Sequence, residues 1–170
     1  MSEIDNTTDA PASETRTMHG CPVSDSRGQV VLHPDRDQYL GVVKALADEG
    51  YAMVIDLCGV DYLDYLHRPL PAGVAPERFE VVVNLLDISN RRRIRLRVQV
   101  PESDCRLASI FDVHPGAEAY ERETYDMFGV TFTDHPDMTR ILMPEDWDGH
   151  PLRKDYEVGR IPVQFKGAHS

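Results

Sequence analysis

The chain has few of the residues from which metal, disulfide and redox sites are built. It contains three cysteines in 170 residues, Cys21, Cys58 and Cys105. No CxxC pair occurs, so neither a disulfide framework nor a cysteine-ligated iron–sulfur cluster is indicated. Free, buried thiols are expected instead. No apolar run approaches the roughly 18–20 residues that cross a bilayer, and the polar, acidic first residues are not typical of a signal peptide.

The motifs that bind nucleotides or activate a nucleophile are also missing. There is no GxGxxG, no P-loop and no nucleophile elbow. The histidines lack ligand spacing such as HxxxH, so His135 and His150, which each precede a proline, are expected to make structural hydrogen bonds. Asp56, Asp61 and Asp64 lie close together without the glycine and glutamate of a calcium loop. Solvated or interface aspartates are expected there.

The charge balance argues against a partner that is a polyanion. The formal net charge is -11 and the isoelectric point is about 5.0, which disfavours a general binder of nucleic acid or of an anionic membrane. One basic stretch runs from Arg91 to Arg97. It has no aromatic side chains among its arginines, whereas RNA-binding sheets depend on exposed aromatics.

Three regions follow from composition. Residues 1–27 are rich in small polar, acidic and proline residues, which predicts a flexible acidic N-terminal tail. Residues 28–130 carry the periodic apolar segments of an α+β core domain. Residues 131–170 are apolar but irregular, and the prolines at positions 136, 144 and 151 exclude long helices. We expect this region to be a docking segment followed by an extended arm that starts after Tyr156, with its apolar residues buried as anchors.

Within the core, apolar spacing predicts the elements. Val30–His33 is a short strand, Asp35 caps a helix that ends near Gly50, and 51–57 is a strand. The segment 107–111 reads as a short apolar helix or turn. Strands over 79–88 and 93–100 flank a turn at Ser89 and Asn90.

This turn predicts the register of a hairpin. It places Leu85 opposite Ile94, Val83 opposite Leu96 and Val81 opposite Val98 on one apolar face. The opposite face mixes the three arginines at positions 93, 95 and 97 with aliphatic residues. Such a mixture fits a covering helix or a docking surface, and a solvated face is the alternative.

A second helix is predicted from Pro115 to Gly129. Its apolar stripe contains Ala117, Tyr120, Thr124, Met127 and Phe128. Glu118, Arg122 and Asp126 lie four residues apart on the opposite, charged side. Glu121 and Glu123 flank the stripe, where burial is partial. We expect both to reach water, and the alternative is a buried carboxylate with a partner, because desolvating an unpaired charge is costly.

The end of this helix opens three consecutive sequence blocks, ERETYDMFG, HPDMTRILMP and GHPLRKDYE. Together they resemble the signature region of the C subunit of respiratory NADH-quinone oxidoreductase, the 30 kDa subunit family of complex I. With the upstream strands, the resemblance extends from about Val30 to Val158. It implies an α+β fold with a mostly antiparallel sheet, helices packed on one face and an irregular extended C-terminal arm.

The resemblance also implies what the chain does. It would be a structural subunit without a catalytic site, in an enzyme that moves electrons from NADH to quinone and translocates protons. FMN, iron–sulfur clusters and quinone would belong to partner subunits. Subunits D, B and I are the expected partners, in a hetero-oligomer on the cytoplasmic face of the cell membrane, with no direct membrane span and no nucleic acid.

Two alternatives remain open at this point. The same scaffold serves membrane-bound hydrogenases, the F420H2 dehydrogenase and plastid-type NDH. A free-standing enzyme would use Glu121 and Glu123, or the Asp56 cluster, as acid–base groups.

The resemblance assigns no catalytic, cofactor-binding or metal-binding residue to this chain. It assigns structural or interface roles to the following charged, glycine and turn positions: Glu121, Arg122, Glu123, Asp126, Gly129, Arg140, Gly149, His150, Pro151, Leu152, Arg153, Lys154, Asp155 and Tyr156.

Overall fold

The computed structural model describes residues 16–157 and contains one sheet of six strands, a small two-stranded sheet and two helices. The six strands of the main sheet are β1 (Thr17–Met18), β2 (Cys21–Ser26), β3 (Gln29–Leu32), β4 (Met53–Asp61), β5 (Phe79–Asp87) and β6 (Arg92–Val100). The remaining elements are the helices α1 (Arg36–Asp48) and α2 (Glu118–Phe128) and the short strands β7 (Arg106–Ala108) and β8 (Thr131–Thr133).

The main sheet has the strand order β1-β2-β3-β6-β5-β4, and only the pairing of β3 with β6 is parallel. In the central β5–β6 hairpin, Leu85 pairs with Ile94, and Val83 with Leu96. Because side chains alternate along a strand, this register places the apolar pairs in the core. The predicted fold class and the predicted hairpin register are both confirmed.

Helix α1 packs against β6 and β7 through a buried stripe that contains Tyr39, Val43 and Leu46. Asp35 is its N-cap residue, and the Asp35 N–H donates to the Gln38 side chain at 3.3 Å. This bond provides an acceptor for the Asp35 N–H, which has none within the helix because it lies at the helix terminus. The predicted start and end of this helix are therefore correct within two residues.

Helix α2 crosses β4 where the strand has no side chain. A Cβ atom added to Gly59 would lie 2.6 Å from Cδ2 of Phe128 and 3.0 Å from Cγ2 of Thr124. The helix begins after a 3-10 turn at Pro115–Ala117 and ends at Gly129, whose φ is 76°. A left-handed residue at this position is favoured for glycine.

Two of the predicted segments are wrong. Residues 17–26 are not part of a flexible tail, because β1 and β2 extend the sheet and Cys21 is fully buried. An average over 27 mostly polar residues hides the two apolar residues, Cys21 and Val23, that enter the core. The segment 107–111 was predicted as a helix or turn, but its first two residues belong to strand β7, which pairs in parallel with β8. The rest of the predicted tail, residues 1–15, lies outside the described part of the chain.

The prediction of free, buried thiols is correct only in part. Cys21, Cys58 and Cys105 are free, but only Cys21 is buried; Cys105 is half-buried and Cys58 is exposed. Between residues 16 and 157, neither helix has the length and the continuous apolar surface needed to cross a membrane.

Candidate functional site

The candidate site is the contact between the end of α2 and residues 134–157, which form no helix or strand. We call residues 134–157 the C-terminal segment. Its main anchor is Asp126, a fully buried residue in the last turns of α2. One carboxylate oxygen accepts hydrogen bonds from the N–H groups of three consecutive residues: Ile141 (3.1 Å), Leu142 (2.8 Å) and Met143 (2.9 Å).

The other oxygen of Asp126 lies 2.6 Å from Nη1 of Arg140. Nη2 of Arg140 then donates to the carbonyl oxygens of Trp147 (3.0 Å) and Gly149 (2.9 Å). Burial alone would raise the pKa of Asp126, but the hydrogen bonds from the three N–H groups and from Arg140 outweigh it. The pKa therefore lies below its ordinary value of 3.8. Helical periodicity predicted Asp126 on the charged side of α2; this prediction of an outer position is wrong, because the residue is fully buried.

The C-terminal segment also covers the exposed end of α2. The last four carbonyl groups of a helix have no partner within it. Here Asp126 O lies 3.0 Å from Nδ1 of His150, Met127 O accepts from the N–H of Leu152 at 3.1 Å, and Phe128 O accepts from Nε of Arg153 at 2.6 Å. The positive charge of Arg153 suits the negative end of the helix dipole. His150 thus makes the structural hydrogen bond that was predicted.

The glycines of the site make room for these contacts. A Cβ on Gly129 would lie 2.5 Å from Nη2 of Arg153 and 2.6 Å from Nε2 of His150. Gly149 has a φ of 83°, and a Cβ there would lie 2.9 Å from the ring of Tyr156. Both positions therefore combine a left-handed backbone with a close side-chain neighbour.

Arg78, at the end of the loop that precedes β5, forms a second anchor. Its side chain is 6% exposed, and it pairs with the buried Asp61 (Nη2–Oδ2 3.0 Å) and with Asp155 (2.6 Å). Asp61 also accepts from the N–H of Lys154 at 2.9 Å. The hydrogen bonds that Arg78 donates to Asp61 and to Asp155 raise the pKa of Arg78 further above its ordinary value. Asp61 was expected to be solvated or at an interface; its position in a buried ion pair corrects that expectation.

Glu121 occupies a buried site on the other side of α2. Its carboxylate accepts from Oγ of Ser109 at 2.6 Å and from the N–H of Ile110 at 2.8 Å. His135 Nδ1 accepts from the N–H of Asp137, so Nε2 carries the ring proton and donates it to the Glu118 carbonyl oxygen at 3.3 Å, while the Glu121 carboxylate lies 3.8 Å away. Burial raises the pKa of Glu121. The expectation that this residue reaches water is wrong, because 109–111 cover it.

The remaining charged residues of the first block differ from Glu121. Arg122 pairs with Glu118 at 2.9 Å and donates hydrogen bonds to the carbonyl oxygen and the hydroxyl oxygen of Thr139. The Glu123 side chain is exposed, as expected, and makes no hydrogen bond or ion pair with any residue in 16–157. The two glutamates thus do not converge, which removes the geometry that an acid–base pair would need.

The apolar residues of the C-terminal segment divide into two groups. Met143 and Trp147 are half-buried. Ile141, Leu142 and Leu152 are 40%, 59% and 51% exposed, although all three were expected or assigned as anchors or contact residues. Their backbones are held by Asp126 and by the end of α2, so their side chains project from a fixed base. Pro151 is half-buried between His150 and Leu152.

The chemistry of the site is structural. Within residues 16–157, no three histidine, cysteine, aspartate or glutamate side chains are grouped so that they could hold a metal ion. The buried charges, Asp126, Arg140, Asp61 and Arg78, are used to bind one part of the chain to another. Sequence reasoning missed the burial of both aspartates; the only available signal was that arginines follow each of them later in the chain.

The fold and the site define a small α+β domain on whose surface buried charges fix an irregular, apolar segment. Residues 32–161 match the family described as respiratory-chain NADH dehydrogenase, 30 Kd subunit. The chain belongs to this family.

Similar proteins agree with this assignment. The chain is 44% identical over 149 residues to the C subunit of the NADH-quinone oxidoreductase of Saccharopolyspora erythraea, covering 86% of this chain and 56% of that protein. The corresponding subunit of Roseiflexus castenholzii is 46% identical, with 84% and 78% covered. The chain spans little more than half the length of several such relatives.

Two solved structures share the fold. The trypsin-resistant fragment (1-134) of Nqo5 has a TM-score of 0.62 and 35% identity, over 69% of this chain and 89% of that one. A chain of the membrane-bound sulfane sulfur reductase, an archaeal respiratory membrane complex, has a TM-score of 0.68 and 17% identity, with 88% of each chain covered. This second likeness concerns the fold alone.

Proposed function

We propose that this chain is a cofactor-free structural subunit in the peripheral arm of a proton-translocating NADH-quinone oxidoreductase. In this proposal it docks the subunits that carry the quinone site and the iron–sulfur clusters, subunits D, B and I. FMN, iron–sulfur clusters and quinone reside on partners. The complex holds the chain at the cytoplasmic face of the cell membrane, as a peripheral component.

One observation carries the proposed docking role. Ile141, Leu142 and Leu152 are exposed, yet their backbone N–H groups are fixed by Asp126 and by the Met127 carbonyl. A free irregular segment would lose conformational entropy on binding, at about 1–2 kcal/mol for each backbone residue. A segment that is already ordered avoids most of this cost. These side chains are therefore suited to bind an apolar surface of a partner.

Rigid positioning also matches what electron transfer requires. The rate of electron transfer falls steeply with distance, so subunits that carry clusters must be kept in a fixed relation. A subunit whose segments are held together by buried ion pairs meets this requirement, because charges that lose water fix the register of an assembly.

Tagging the chain at its own gene and purifying it from membranes tests the proposal. Subunits B, D and I are expected to co-purify in fixed ratios. The double variant Leu142→Ser/Leu152→Ser should reduce their recovery at least fivefold, while Leu66→Ser, at an exposed apolar position of the loop after β4, should leave it within twofold. Recovery of the chain alone, or of a hydrogenase or a reductase that does not use NADH, would contradict the proposal.

The cofactor expectation has a separate test. The purified chain should show no flavin absorbance and less than about 0.1 iron atom per molecule by elemental analysis. A stoichiometric flavin or iron content would contradict the cofactor-free assignment, whatever subunits co-purify.

A further inference from the structure

The face of the main sheet opposite the two helices is only partly covered. Alternation along β5 and β6 places Val82, Asn84 and Leu86 beside the arginines at 93, 95 and 97 on this face. The loop after β4 covers one end, where Arg68 lies over the ring of Tyr62, 3.6 Å from its centre. Among residues 16–157, no helix packs on the other end, near the β5–β6 turn.

At the covered end the charges are matched inside the chain. Glu80 is fully buried and binds Arg97 through both oxygens, at 2.7 and 3.0 Å. Arg68 lies 3.6 Å from the same carboxylate and donates to Gln99. This end needs no external partner to neutralise its charge.

Among residues 16–157, three neighbouring arginines at the open end have no carboxylate partner. Arg95 donates only to the side-chain oxygen of Asn84, at 2.9 Å. The side chains of Arg91 and Arg93 are exposed and make no hydrogen bond or ion pair within the described part of the chain. Nine other arginines in that part do pair with a carboxylate: 16, 36, 68, 78, 92, 97, 106, 122 and 140.

This clustering is unusual because the chain has 29 acidic residues and only 18 basic ones. Carboxylates are thus plentiful, and outside this cluster only Arg27 and Arg153 lack one among the described arginines. Asp56 pairs in register with Asn84, so one acidic residue lies in the row next to Arg95 without forming an ion pair with it among the described residues. The open end therefore keeps a local positive charge on a protein of net charge -11.

The same end exposes apolar side chains. Met53 pairs in register with Leu86, which pairs with Arg93. Met53 is 44% exposed and Ile88, in the adjoining turn, is exposed as well. A concave space of about 820 Å³ on the same face reaches Arg95, but it is otherwise lined by β2 and by the covered end, including Asp25 and Glu80. Arginine beside aliphatic side chains, without lysine, is the composition of protein–protein interfaces.

We propose that this open end is a second docking surface and that its occupant is an acidic segment, with interspersed apolar side chains, of another subunit of the same assembly. The surface consists of Met53, Leu86, Ile88, Arg91, Arg93 and Arg95. The inference extends the proposed function, because it rests on the chain's being a subunit. Complementary charge favours an acidic occupant, and its apolar side chains match Met53, Leu86 and Ile88.

Photo-cross-linking in the assembled complex tests this surface. p-Benzoylphenylalanine replaces Leu86 in the tagged chain, the complex is irradiated in native membranes, and the cross-linked peptide is identified by mass spectrometry. We expect a peptide of a different subunit with net negative charge. A neutral or basic peptide, a second copy of this chain, a segment of this chain itself, a nucleic acid or no cross-link would overturn the proposal.

A charge variant provides the second readout. Arg93→Glu should lower the cross-link yield, measured per subunit retained in the complex, about three- to tenfold, because rim charges govern encounter and register. Lys44→Glu, an equal charge change on the exposed side of α1, should leave it within twofold, and Arg93→Lys should preserve most of it. If subunits B, D and I still co-purify and the cross-link yield of Arg93→Glu is unchanged, the second docking surface is overturned. Loss of those subunits from the unsubstituted protein is instead a failure of the proposed function.

Discussion

Asp126 and Arg140 form an ion pair, 2.6 Å between Oδ1 and Nη1, that joins α2 to a loop fourteen residues later in the chain. The aspartate is fully buried and Arg140 reaches on to two further carbonyl groups. Through this pair and the three N–H groups held by the second oxygen, one helix residue determines the path of residues 140–149. The other buried carboxylate of the same helix, Glu121, has no arginine partner among the described residues.

Asp126→Asn tests the importance of this anchor. An amide cannot neutralise Arg140 and accept from three N–H groups at once, so either the largely enclosed Arg140 or the buried N–H groups lose their partner. We expect the free energy of unfolding to fall by about 3 kcal/mol, measured by urea denaturation. Glu123→Gln is the matched control, three residues earlier on the exposed side of the helix, and should change it by less than about 0.5 kcal/mol. Equal effects of the two variants would contradict the assigned role.

The pKa shifts of the two buried carboxylates predict opposite pH dependences. The pKa of Asp126 is lowered in the folded protein, so its contribution is present above about pH 4 and is lost as the pH falls through the lowered pKa. The pKa of Glu121 is raised by burial, so the folded state binds its proton more tightly than the unfolded state. Its ionisation therefore costs stability above its ordinary value of 4.5.

Denaturation curves of Glu121→Gln between pH 4 and pH 7 measure this difference. Glutamine keeps an acceptor for Ile110, and the hydroxyl of Ser109 can turn to accept from the amide. We expect the variant to gain stability relative to the unsubstituted protein as the pH rises. A constant difference across this range would show that Glu121 does not titrate as described.

Gly129→Ala tests the contact between the end of α2 and the C-terminal segment. The new Cβ would lie 2.5 Å from Arg153 and 2.6 Å from His150, at a φ of 76°. We expect a loss of about 2 kcal/mol and faster hydrogen exchange at the N–H of Leu152, whose acceptor is Met127 O. The control is Gly41→Ala in the interior of α1, where no atom lies within 4 Å. It should stabilise the protein by up to about 1 kcal/mol.

Arg78→Lys tests the second anchor. The guanidinium binds Asp61 through two nitrogens and also reaches Asp155 and Glu102. A lysine ammonium is a single point charge and cannot reproduce this fork, so we expect a loss of about 2–4 kcal/mol by urea denaturation. Arg106→Lys changes an exposed pair with Asp104 and should cost less than about 1 kcal/mol. Similar losses at both positions would contradict the distinction between buried and exposed pairs.

The sequence by itself determined the elements whose reasons are local. The β5–β6 register follows from a two-residue period and a turn at Ser89 and Asn90, and the limits of α2 follow from Pro115 and Gly129. The three motif blocks were sufficient for the family. Each of these signals lies within a short stretch, so no distant residue is needed to interpret it.

Only the tertiary structure decided which charges are buried. A helical wheel correctly put Asp126 away from the apolar stripe, but it describes an isolated helix and contains no second layer. The C-terminal segment passes over that polar side and encloses the carboxylate, just as 109–111 enclose Glu121. Whether a charged side chain meets water or another part of the chain depends on contacts between residues far apart in sequence, and periodicity within one element carries no information about them.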